Sequence, residues 1–150
     1  MEELGRLFEQ RAAEAPARDP AARALLERSR MQFRRAAAMR PGSPYAWSNL
    51  ALVKFRLGEM DYEFYGALER AARFGPWEPA VQLALADIGL AGWRRLALPG
   101  KLAVLGAIER GMKRQQKEIS GFATTHRGLP ALCSDPLLRA RPVPQLCAAR

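Results

Sequence analysis

Pro41-Gly42-Ser43-Pro44-Tyr45-Ala46-Trp47-Ser48-Asn49-Leu50-Ala51 and Pro76-Trp77-Glu78-Pro79-Ala80-Val81-Gln82-Leu83-Ala84-Leu85-Ala86 are two versions of one pattern. The double proline returns after thirty-five residues, and the Leu-Ala pair returns at the same offset. Proline fixes φ and carries no amide hydrogen, so it suits the first turn of a helix, where the amide has no partner in any case. Each Pro-x-x-Pro therefore closes one helix and opens the next. The chain counts out helix pairs of nearly equal length.

Working outward, Leu4, Leu7, Phe8 and Ala12 share one face of a helix over 2–14. Asp19 is placed to cap a second helix that opens at Pro20 and runs to about Arg40. Ser43 is placed to cap a third that opens at Pro44 and runs to residue 57, and a fourth occupies 60–74. The fifth runs from Pro79 to about Leu96, and the sixth from Pro99 to about Glu118. No stretch alternates apolar and polar residues with β-branched enrichment, so the fold class is all-α. From Ser120 onward Gly121, Gly128, Pro130, Pro136, Pro142 and Pro144 break the chain into short pieces. Only 135–139 has the length for a turn of helix. The expected organisation is a helical domain over 1–118 and an irregular Pro/Gly-punctuated tail over 119–150.

This arrangement resembles the tetratricopeptide repeat (TPR), a helix-turn-helix unit of about 34 residues. Trp47, Leu50, Ala51 and Gly58 fall on its Trp, Leu, small and Gly positions. One residue inserted after Gly58 brings Ala71 and Pro76 onto its later Ala and Pro. Lys54 stands where a Tyr is usual, Phe64 where a small residue is usual, and Gln82 where the next unit has Trp. The resemblance covers roughly 1–118. It implies a stack of about three antiparallel helix pairs, small residues permitting close approach and larger ones filling the space between. An ordinary helical bundle is the competing architecture.

The resemblance also implies a function: a partner peptide held in a groove lined by the first helix of each pair. The implied lining is Tyr45, Ser48, Asn49, Leu52, Phe55 and Arg56 in one unit and Ala80, Leu83, Asp87, Leu90 and Ala91 in the next. Asn49 and Arg56 resemble part of the clamp by which some members hold a peptide carboxylate, through Arg's paired donors. The remaining clamp positions are apolar, so the expected guest is a hydrophobic segment. A narrower likeness lies in Phe74-Gly75-Pro76-Trp77-Glu78-Pro79-Ala80-Val81-Gln82-Leu83-Ala84 and Gly89-Leu90-Ala91-Gly92-Trp93. These resemble small repeat proteins of bacterial exopolysaccharide clusters, the VpsP-like polysaccharide biosynthesis proteins. That likeness implies an accessory role beside a polymerising or exporting machine.

Composition narrows the field further. The chain has 150 residues, 49% hydrophobic, which suits one compact domain and excludes a wholly disordered chain. The longest uncharged run, 41–53, is too short to cross a bilayer, which takes roughly eighteen residues or more. Glu2, Glu3, Arg6 and Glu9 interrupt any signal-like apolar stretch, making the cytoplasm the default location. The net charge is +9, from 24 Lys and Arg against 15 Asp and Glu. Cations exceed anions in 1–43, 79–118 and 119–150 without gathering into one run. Dedicated nucleic-acid binding is therefore disfavoured, and the alternative function is a basic binder of acidic polysaccharide or nucleic acid.

Other candidates have plain structural readings. Trp77 and Trp93 are expected in the core, with stacking on sugar rings the other reading. Cys133 and Cys147 are either two free thiols or a bridge, the latter pointing to an oxidising compartment; with His126 they lack the paired spacing of a zinc site. Lys113, Arg114 and Lys117 complement the end of the sixth helix, and Glu59, Asp61 and Glu63 mark the start of the fourth. No phosphate-cradling loop, nucleophile elbow or metal pair is present in the sequence. The chain reads as non-catalytic, with no cofactor and no metal.

Overall fold

The protein is described by a computed structural model covering residues 2–14 and 19–147. Every regular element among them is helical. The chain divides into two compact units, Met1–Gly75 and Pro76–Arg150, so the division falls at the second double proline rather than at residue 118.

The first unit holds α1 (Glu2–Glu14), α2 (Pro20–Met39), α3 (Pro44–Arg56) and α4 (Tyr62–Phe74). Asp19 caps α2 by accepting from the Ala21 amide at 2.9 Å, with Pro20 in the first turn. Ser43 precedes α3 without a side-chain cap bond, so proline alone sets that start. At the far end of α3 the Glu59 amide donates back to the Lys54 carbonyl at 2.8 Å, and Gly58 turns the chain with φ of 77°. That left-handed residue is what a glycine tolerates and a side chain resists. Asp61 then caps α4, accepting from the Phe64 amide at 3.0 Å.

Packing within this unit joins α1 to α2, α2 to α3 and α3 to α4. The buried Ser29 hydroxyl of α2 donates to the Gly5 carbonyl of α1 at 2.7 Å, beside the fully buried Phe33. Ala36, Ala37 and Ala46 bring α2 and α3 close together, with Trp47 leaning on them. Its indole donates to the Pro41 carbonyl at 2.8 Å, and the Arg70 guanidinium lies over its ring. Leu50, Ala51 and Val53 of α3 are fully buried, as are Phe64, Ala67 and Ala71 of α4.

Lys54 is only 2% exposed. Its ammonium donates to Asp61 at 2.9 Å and Glu63 at 2.7 Å, with Glu59 at 3.8 Å. Arg34 of α2 grips Glu63 through two bonds of 2.7 and 2.8 Å, and Arg30 pairs with Glu59. The acids at the start of α4 are thus counter-ions as well as helix-start residues. Three helices meet through this set of charges.

Hydrogen bonds from Arg34 hold the Glu63 carboxyl at a pKa of about 2, burial opposing and Lys54 assisting. Burial also opposes the shift at Asp61, but the Phe64 amide and Lys54 outweigh it and lower the pKa. For Lys54, burial is outweighed by Glu63 and Asp61, and its pKa is raised.

The second unit holds α5 (Pro79–Gly92), a 3-10 turn at Trp93–Arg95, α6 (Leu98–Gly111) and α7 (Gln116–His126). Three short helices follow: α8 (Leu129–Cys133), α9 (Leu137–Ala140) and α10 (Pro144–Cys147). Here the structure corrects the expected tail. The α6 helix stops at Gly111, whose carbonyl accepts from both the Arg114 and Gln115 amides, and 116–126 forms a helix of its own. This lets Ile119 and Ala123 of α7 bury themselves as α7 packs on α5. Likewise α5 ends at Gly92, short of Leu96.

Beyond α7 the segment is tied down twice. Cys133 and Cys147 form a disulfide linking α8 to α10, with Cα atoms 5.6 Å apart. Asp135 accepts from the Trp93 indole at 2.9 Å, the Lys101 ammonium at 3.0 Å and the Leu137 amide at 2.9 Å. The amide and these two partners lower its pKa. The alternative of two free thiols is thereby set aside.

Two outcomes follow from these ties. A carboxylate whose pKa is depressed on folding stabilises the fold above its unfolded pKa, and loses that contribution as pH falls toward the folded value. Glu63 therefore makes stability drop as pH falls from about 4.5 to about 2. Urea unfolding of Glu63→Gln should show a shallower drop across that window than the parent. Reducing the disulfide should cost about 3 kcal/mol of stability, read by denaturant unfolding with and without reductant.

Candidate functional site

The face of α3 expected to meet a partner divides once its neighbours are in place. Tyr45, Asn49, Leu52 and Arg56 recur at helical spacing along one stripe. The first three are half-buried and Arg56 is exposed, pairing with Glu9 of α1. Phe55 does not belong to this stripe: it is 7% exposed and packs near the Phe64 ring, with centroids 6.4 Å apart. Ser48 is buried too, its hydroxyl donating to the Tyr45 carbonyl at 3.1 Å. Because α3 lies between α2 and α4, its apolar residues are covered on more than one side. A single-stripe reading overestimates what remains open.

On α5 the chain's own α7 packs against part of the expected lining. Leu90 is 2% exposed and belongs to the core. His126 at the end of α7 contacts Asp87, and Gln115 before α7 donates to the Gln82 side chain at 2.9 Å. Gly128 follows and lies against the Leu90 backbone, where an added Cβ would sit 2.1 Å from the Leu90 carbonyl oxygen. Leu83 and Ala91 remain half-buried and Ala80 exposed. With α6 on one side and α7 on another, α5 is apolar nearly all round, as a buried helix is.

The tryptophans separate. Trp93 is buried, as expected of a core residue, with its indole bonded to Asp135. Trp77 is 64% exposed, against expectation. Its backbone is held by the neighbouring Pro76 carbonyl, which accepts from Arg110 Nε at 2.8 Å and from Gln82 Nε2 at 3.1 Å. Arg110 and Lys113 cations lie 5.9 and 5.4 Å from the centre of its ring. Lys113 and Arg114 belong to the turn after α6 rather than to its last helical turn, and Lys117 opens α7. The repeat register placed Trp77 beside Pro76 without indicating that the end of α6 and the turn after it would bring cations to it.

Among the described residues, no group of three or more His, Cys, Asp or Glu side chains is arranged to hold a metal ion. No helix there is long and apolar enough to cross a membrane.

The seating of α7 on α5 has a direct check. Gly128→Ala should force the α7–α8 corner away from Leu90 and lower stability by about 2–3 kcal/mol. Amide exchange across 116–126 should accelerate more than across α6; equal exchange in both helices would contradict this packing.

No protein-family model, curated protein or solved structure matches the chain.

Proposed function

We propose that this chain is a non-catalytic, TPR-like interaction scaffold that binds a partner segment along the half-exposed stripe of α3. The observation that supports the reading most is the shared register of α3 and α5. Pro44 and Pro79 each open their helix, and Leu50-Ala51 and Leu85-Ala86 are all fully buried. Coincidental proline spacing in an unrelated bundle carries no reason for the same positions to turn inward in both helices.

Tyr45, Asn49 and Leu52 offer the partner an aromatic ring, a backbone-bonding amide and an aliphatic contact within one stripe, with Arg56 at its end. Phe55 and Leu90 support the fold instead of touching the guest. Asp87 is met by His126 of α7 and Leu83 stands half-buried on the same helix, and the stripe on α3 carries the binding. The likeness to exopolysaccharide-cluster proteins supplies the setting: an accessory component beside a polymer-making or exporting assembly.

The test is co-purification of a partner from the native cell at low and high salt. Binding by burial on α3 should persist at high salt, fail with Leu52→Glu, and survive Tyr62→Ala, which alters the 95%-exposed ring on α4. Binding lost at high salt yet indifferent to Leu52→Glu would instead favour the electrostatic alternative.

A further inference from the structure

Several cations of this protein are neutralised within it. Arg30, Arg34 and Lys54 share the acids of α4, Lys101 meets Asp135, and Arg141 takes Glu109. Arg110, Lys113 and Arg114 gather at one opening, and the Glu109 carboxylate next to Arg110 is shared with Arg141. Together with Trp77, Pro79 and Gln82 they line a cavity of about 260 Å³ in the second unit.

Gathering three like charges at one opening raises their mutual repulsion, and the cost falls when an anion enters. At Arg110 burial lowers the pKa, Glu109 opposes and Arg141 assists. An exposed indole at the rim adds a flat apolar surface that an anion alone does not use. The volume is small, near the lower end for ligand sites, and accommodates one ring-sized group.

We infer that the cavity formed by Trp77, Arg110, Lys113 and Arg114 binds an acidic sugar, a ring-borne carboxylate of the uronic-acid class. The C–H face of the sugar ring stacks on Trp77, and its carboxylate is met by Lys113 and Arg114, with Arg110 held between the Pro76 carbonyl and the cavity. A guanidinium offers the carboxylate two parallel donors, which an ammonium does not. An acidic peptide would satisfy the charges but leave the indole without a ring to face. Single-stranded nucleic acid uses several stacking platforms along a basic track, whereas this cavity presents one. The site belongs to the second unit, whereas the α3 stripe belongs to the first, and it does not depend on the scaffold reading.

The experiment titrates the full chain with trigalacturonate while following the three tryptophan indole N–H resonances. Neutral galactotriose, hexaglutamate and an oligothymidylate serve as comparators. The expected result is a shift of the Trp77 resonance with those of Trp47 and Trp93 unmoved, and binding about tenfold tighter than either galactotriose or hexaglutamate. Trp77→Ala and the double variant Lys113→Gln/Arg114→Gln should each weaken trigalacturonate binding about tenfold, while Trp77→Phe and Arg139→Gln retain it. These side chains are exposed, so unchanged thermal unfolding separates lost binding from lost fold. Equal affinity for hexaglutamate would reduce the site to bulk charge. Tighter oligothymidylate binding would make it a nucleic-acid surface, and an unmoved Trp77 resonance would remove it altogether.

Discussion

A lysine ammonium taken out of water must be met by acids, and in the first unit that requirement organises three helices. Lys54 occupies a position that the repeat pattern gives to an aromatic ring, so it introduces a charge where packing alone would suffice. Its demand is met from α4 by Asp61 and Glu63, and the excess negative charge there is met in turn from α2 by Arg34 and Arg30. Breaking a buried pair costs more than the pair contributes over a well-packed apolar substitute. The value of the arrangement therefore lies in alignment. A slip of one turn in α2 or α4 would leave Lys54 buried against the wrong neighbours.

The turn after α3 makes this geometry available. Gly58 adopts a left-handed conformation that returns the Glu59 amide to the Lys54 carbonyl, so the acidic segment begins beside the lysine it neutralises. The same residues cap α4, and Asp61 serves both tasks at once through its two oxygens. Local capping and tertiary pairing here use the same atoms.

In the second unit the organising event is the seating of α7 on α5. It packs α7 against α5 and fixes the turn carrying Lys113 and Arg114 beside the loop that opens α5. The remaining chain is held by a covalent tie and by Asp135, whose three donors come from the 3-10 turn, α6 and its own α9. The opening at the first turn of α5 brings an exposed indole beside Arg110, Lys113 and Arg114.

Helix content and most helix starts were legible in the sequence because they rest on local rules. Proline in a first turn, Asp19 as a cap, the acids at the start of α4 and Gly58 after α3 act within a few residues of themselves. The inward Leu-Ala pairs were legible through periodicity. What the sequence left undetermined was which of several apolar faces would be covered, since that depends on neighbours distant along the chain. Phe55 and Leu90 were assigned to an open groove for this reason, and Trp77 to the core. The break after Gly111 had no strong stop signal, because Lys113, Arg114 and Gln115 are all compatible with a continuing helix. Only the burial of Ile119 and Ala123 against α5 decided it. The proline-punctuated end illustrates the same limit: its residues disfavour long helices but say nothing of the disulfide and the carboxylate that hold it. Local backbone chemistry settled where helices begin, and long-range packing and charge settled which surfaces remained to act.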